Sequence, residues 1–142
     1  MIWKGKRERL PEVKAVMTPF PFWIGSGDSL DKAAKMMREH DIHHLPVVAD
    51  GKPVGVVSQR DLSRAGAEHR RVEEVAHLEV CVVDLSTPLD RVLLRMARGR
   101  HDAALVVKGD RLVGIFTSSD AFKQFSECLR AFYPSGSGDE AA

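Results

Sequence analysis

The chain has 142 residues, 44% hydrophobic and 29% charged, with a formal net charge of +1; this is the make-up of a globular chain with one ordinary core, and it excludes a fibre or wholesale disorder. Near-neutrality argues against a protein that coats nucleic acid, no apolar run approaches the roughly 18 to 20 residues that span a bilayer, and Cys81 and Cys128 are too few for a disulfide scaffold. The basic start, Met1 to Arg7, lacks the apolar stretch of a signal peptide, so a cytoplasmic protein is expected, with Cys81 a reduced, buried thiol.

Residues 1–10 read as a loosely held arm around Trp3. A short helix follows: Pro11 suits a first helical turn, Val13, Val16 and Met17 share one side, and Thr18-Pro19 ends it. Phe20 to Ile24 reads as an irregular strand, confined to an edge or bulge by Pro19 and Pro21; its counterpart, Val80 to Val83, is cleaner. Asp28 and Thr87 are expected N-caps, with Pro88 at a first helical position. Behind them Leu30, Ala33, Ala34 and Met37, and Leu89, Val92, Leu93 and Met96, keep the spacing of an amphipathic helix.

His44 to Val48 and Pro53 to Val57 read as strands of a hairpin turned at Asp50-Gly51, and Ala103 to Val107 and Leu112 to Phe116 as a second hairpin. Helices begin near Asp61 and Asp120. The second is longer, and Phe122, Phe125, Leu129 and Phe132 on one side suit dimer or core packing. The tail, 134–142, is too polar and glycine-rich to fold alone.

These elements occur twice. Gly55-Val56-Val57-Ser58-Gln59-Arg60-Asp61 returns as Gly114-Ile115-Phe116-Thr117-Ser118-Ser119-Asp120, a strand running into a hydroxyl residue with an Asp three positions on. The separation of 59 residues (Gly55 to Gly114, Ser58 to Thr117, Asp61 to Asp120) extends without a gap from Val13 and Val72 to Val54 and Val113. The expected fold is mixed α+β: two repeats, 11–66 and 67–131, each a small sheet with flanking helices, packed about a pseudo-twofold axis.

Val16-Met17-Thr18-Pro19, Ser29-Leu30 with its helix, His43-His44-Leu45-Pro46-Val47-Val48 and Gly55 to Leu62, in that order and repeated, resemble a tandem pair of CBS domains, the cystathionine-beta-synthase-type regulatory modules. A compact pair resembles the free-standing bacterial and archaeal members, including acetoin-utilisation-type proteins. The second repeat departs from the pattern, with Ala76-His77-Leu78 for Met17-Thr18-Pro19 and Ala104-Leu105 for Leu45-Pro46, and its pocket is open to degeneration.

The resemblance implies adenosyl ligands held in clefts shared crosswise between the repeats. One cleft would combine His43, His44, Ser58, Arg60 and Asp61 with His77 and the Val80 to Val82 strand. The other would combine Thr117, Asp120 and the chain near His101 and Ala103 with Thr18 and the Phe22, Trp23, Ile24 stretch. An Asp at a strand-to-helix junction suits ribose hydroxyls, a hydroxyl beside helix-start amides suits phosphate, and valine-rich strand ends suit adenine. Arg60 and the imidazoles favour more phosphates in the first cleft than in the second, where Ser119 replaces Arg60.

Candidate ligands are AMP, ADP and ATP, ahead of S-adenosylmethionine, NAD and cyclic di-AMP, with no cofactor required. Asp61, Asp120, Ser58 and Thr117 also fit plain helix-capping roles, and Arg60 a solvated one. His40, His43 and His44 have no partner cysteines, so no metal is expected.

No nucleophile with its base appears at a readable spacing. The reading is therefore a non-enzymatic sensor, signalling through a homodimer or an unidentified protein partner. Its rivals are a ligand-free dimerisation module and a nucleic-acid regulator using Lys4, Lys6, Arg7, Arg9, Arg64, Arg70 and Arg71.

Overall fold

Apolar spacing sets the two longest matched helices. Leu30, Ala33 and Met37 lie on the inner face of α1 (Leu30–His40), and Leu89, Val92 and Met96 on that of α3 (Leu89–Gly99). The caps sit one residue later than expected. Ser29 Oγ, not Asp28, accepts from the Lys32 amide at 3.1 Å, and Pro88 occupies the second N-cap without a side-chain bond. Asp28 turns back instead, accepting from the Gly25 amide at 2.8 Å and pairing with Lys32 at 3.2 Å.

The computed structural model describes residues 2–3 and 9–134; most of the expected arm, and the tail from residue 135, lie outside the described residues. Trp3 is not loosely held, since its ring packs on the second repeat's core and its indole N–H donates to Gln124 Oε1 at 2.9 Å. The expected first helix is one 3-10 turn at Val13–Ala15. The expected strand at Phe20 to Ile24 is two shorter ones, β1 (Thr18–Pro19) and β2 (Ile24–Gly25), because Phe20, at φ 47°, breaks the extended run between them.

Both hairpins form. β3 (His44–Ala49) and β4 (Lys52–Ser58) join through Asp50-Gly51, both at positive φ, as a two-residue type I′ turn requires. α2 (Gln59–Arg64) follows, then a 3-10 turn at Val72–Glu74, β5 (Cys81–Asp84) and α3. β6 (Ala103–Lys108) and β7 (Arg111–Thr117) make the second hairpin and lead into α4 (Ser118–Phe132). The sheets run β2-β3-β4 and β1-β7-β6-β5.

Registers repeat with the sequence. Ile24 faces Val47 as Val83 faces Val106, His44 faces Ser58 as Ala103 faces Thr117, and each hairpin carries one irregularity, at Val47/Val48 and Val106/Val107.

The repeats exchange their leading segments. Thr18 pairs with Ile115 in β7, and the matching His77 pairs with Val56 in β4. Val13, fully buried, belongs to the second repeat's core with Val83, Val92 and Phe116, while Val72, also fully buried, belongs to the first with Ile24, Leu45 and Val57. A third cluster, Val56, Ala103, Leu105 and Ile115, lies between the sheets. Each half is thus clamped by the other's first residues.

Phe122, Phe125, Leu129 and Phe132 are exposed along α4, so core packing within one chain is not their role. Among the described residues no helix is long and apolar enough to cross a membrane.

Candidate functional site

A cleft of about 710 Å³ opens between the repeats, at the ends of the paired hairpins. Its centre is the strand-to-helix junction of β4 and α2. Ser58 caps α2, its Oγ accepting from the Asp61 amide at 3.1 Å while Asp61 Oδ2 accepts from the Ser58 amide at 2.8 Å. This reciprocal capping box uses one carboxylate oxygen and leaves the other free. Oδ1 of Asp61 accepts from His77 Nε2 at 2.8 Å, a contact brought across by the exchanged segment, whose Val56–His77 backbone bonds measure 2.9 and 3.0 Å. The Asp61 side chain is 12% exposed and the His77 ring 71% exposed. A sheltered anion therefore faces the cleft behind a largely exposed imidazole.

His43, His44, Arg60 and Val80 also line this cleft. His43 Nδ1 donates to Gln59 Oε1 at 2.6 Å, which orients the ring. Burial holds the His44 imidazole below its ordinary pKa; Asp102 and Asp61 pull upward, and His43 and Arg60 add to the depression. His44 is accordingly a neutral hydrogen-bonding group at pH 7.

The structure distributes the remaining candidates differently from the expectation. His101 and Ala103, placed by sequence with Thr117 and Asp120, line the same cleft as Asp61. The cleft reaches across the pseudo-twofold axis, so the turn between α3 and β6 joins the first group. Thr117, Asp120 and Thr18 do not line it. Thr117 and Asp120 form the second capping box, in which the Thr117 hydroxyl also lies 3.0 Å from Asp120 Oδ2. Phe22 stacks on His40 at 3.7 Å between ring centroids, Trp23 is half exposed, and Ile24 is buried in the first core; none of the three, assigned by sequence to the other cleft, lines this one. Val82 packs in the inter-repeat cluster rather than on the cleft wall.

Arg64, Arg100 and Asp102 line the cleft and were not ligand candidates by sequence. Arg71, counted in a basic group by sequence, is engaged structurally: its guanidinium donates to the Gly27 carbonyl at 2.6 Å. Among the described residues no three His, Cys, Asp or Glu side chains converge to hold a metal ion.

Two exchanged βαβ-type repeats with a shared polar cleft define a tandem-repeat module. The family model described as CBS domain matches residues 13–68 and 72–127, and the chain belongs to the CBS domain family. It is 33% identical over 125 residues to L-aspartate semialdehyde sulfurtransferase of Methanocaldococcus jannaschii, which is 86% of this chain and 25% of that protein. The chain spans about a quarter of the length of this and other archaeal enzymes that it matches. The CBS domain pair of protein MJ0100, in complex with 5′-methylthioadenosine and S-adenosyl-L-methionine, superposes with a TM-score of 0.75 at 30% identity, covering 84% of this chain and 98% of that one. A Vibrio cholerae structure described as an acetoin utilization protein (AcuB) gives 0.76 at 30% identity, covering 89% and 98%.

Proposed function

We propose that this chain is a regulatory module that binds an adenine nucleotide or related adenosyl ligand in the cleft between repeats 11–66 and 67–131, and reports occupancy through a homodimer or a protein partner. The observation that carries the reading is the Asp61 carboxylate. Capping fixes it through Oδ2, so Oδ1 is aimed into the cleft by the same bonds that start the helix. A ribose diol donates two hydroxyls, and a fixed carboxylate accepts them in charge-assisted bonds. The ligands of the MJ0100 pair, both adenosyl compounds, support this choice.

His77 then exchanges its hydrogen bond with Asp61 for one with the ligand. Because His77 is held by the second repeat's leading segment and Asp61 by the first repeat, a ligand touching both favours one arrangement of the two halves. Its differential affinity sets how far that balance moves.

Thermal unfolding with AMP, ADP, ATP and 5′-methylthioadenosine tests the reading. At free ligand about 100 times its dissociation constant the stabilisation is about 2.7 kcal/mol, which raises Tm by several degrees in a chain of this size. Asp61→Asn keeps the side chain's shape and removes the charge, so most of the shift is lost. An unshifted Tm with every adenosyl compound, or an Asp61→Asn variant that responds like the parent, contradicts it.

A further inference from the structure

Resting on the adenosyl reading above, we infer that the cleft selects ligands bearing a phosphate chain, and that Arg100, supplied by the second repeat, reads the length of that chain. Three observations converge on it.

The first is the state of the arginines. Arg60, Arg64 and Arg100 all line the cleft, and none makes an ion pair or side-chain hydrogen bond with another described residue. Two arginines outside the cleft are used by the protein itself, Arg71 on the Gly27 carbonyl and Arg95 on the Val82 carbonyl; what sets Arg60, Arg64 and Arg100 apart is that they are unpaired among the described residues and share one cleft. Of the carboxylates that line the cleft, Asp61 is engaged by its cap and by His77, which leaves Glu79 and Asp102 against three guanidiniums. A guanidinium fork binds phosphate oxygens in pairs.

The second is an asymmetry that the repeat exposes. Arg100 stands where the first repeat has Asp41, and both are left-handed helix C-caps, at φ 55° and 51°. That backbone suits Gly, Asn or Asp far better than Arg, so the guanidinium is kept at a position whose backbone argues against it. Arg60 likewise stands opposite Ser119, while Arg64 stands opposite Lys123, so two of the three guanidiniums have no cationic counterpart at the other end of the module.

The third is extent. At about 710 Å³ the cleft falls in the upper half of the roughly 300–1,000 Å³ typical of small-molecule pockets, and it continues from Asp61 and His77 to Arg100 and Ser118 of the other repeat. A nucleoside seated on Asp61 directs its first phosphate to the Ser58 hydroxyl and Arg60, and further phosphates to Arg64 and Arg100.

Calorimetric titration of the full chain with 5′-methylthioadenosine, AMP and ATP, at fixed ionic strength without divalent metal, tests this. ATP is expected to bind at least about tenfold tighter than AMP, the gain of one well-placed charged hydrogen-bond pair. Arg100→Gln should remove that gain while leaving AMP and 5′-methylthioadenosine within about twofold of the parent, so the two shorter ligands also report that the fold is intact. Arg98→Gln, the same charge change on the same helix away from the cleft, should do nothing. ATP binding no tighter than AMP, an Arg100→Gln variant that weakens all three alike, or an equal effect of Arg98→Gln overturns this inference alone. Failure of all three ligands to bind overturns it together with the adenosyl reading.

Discussion

At the scale of single residues, the cleft is built from groups that serve the fold and face the cleft at once. Asp61 and Ser58 complete a helix cap and still line the cleft, so capping does not compete with the proposed binding role. His44 offers a test by pH. Burial, the largest effect on it, depresses its pKa below the ordinary 6.5, with Asp102, His43, Asp61 and Arg60 modulating. The unfolded chain therefore takes up the proton first as pH falls, and stability drops from about pH 7 downward through the unfolded value until the folded form also protonates. Tm measured from about pH 7.5 to 5 should fall in this window, and His44→Gln should flatten the fall; an unchanged slope in the variant would contradict the assignment. Ser58 and Asp61 were legible because their motif stands twice at one spacing, and His43 and His44 because they sit in the segment that carries the family resemblance. Arg64 was read only in a basic group suited to nucleic acid, and Arg100 and Asp102 were not singled out, because each reads in isolation as an ordinary solvated side chain. The only signal for Arg100 was that it replaces Asp41 in the repeat.

At the scale of elements, the exchange of leading segments sets the tightest packing. An added Cβ on Gly55 would lie 2.7 Å from the His77 backbone carbonyl, whereas one on Gly114 would meet the flexible Met17 side chain. The His77 backbone, bonded twice to Val56, cannot yield as a thioether does. Gly55→Ala should therefore cost about 1–3 kcal/mol, in the range of overpacked sites, and Gly114→Ala clearly less, in denaturant unfolding of the two variants. Equal losses would mean that the crossing at His77 is no tighter than the one at Thr18. Periodicity revealed the helices and hairpins, since their apolar stripes and turn residues are local. It missed the caps by one residue, because Asp28 found a better partner in the Gly25 amide. It also missed that Val13 and Val72 serve the opposite core, because a valine's burial says nothing about which sheet buries it.

At the scale of the whole molecule, a duplicated sequence has become two sheets with matching registers, one inter-repeat cluster and a cleft that neither half forms alone. The asymmetry lies in the charges along that cleft and in the leading segments, where a strand broken at Phe20 in one repeat answers the single strand β5 in the other. The halves are tied where His77 meets Asp61, and the proposed ligand would act on both cores through that contact. Amide chemical-shift mapping of the isotopically labelled chain during titration with AMP examines this most directly. The largest shifts should fall together on His43–His44, Ser58–Arg64, His77–Val80 and Arg100–Ala103. Shifts confined to the outer face of α4, or none at saturating AMP and 5′-methylthioadenosine, would contradict a cleft that binds adenosyl ligands.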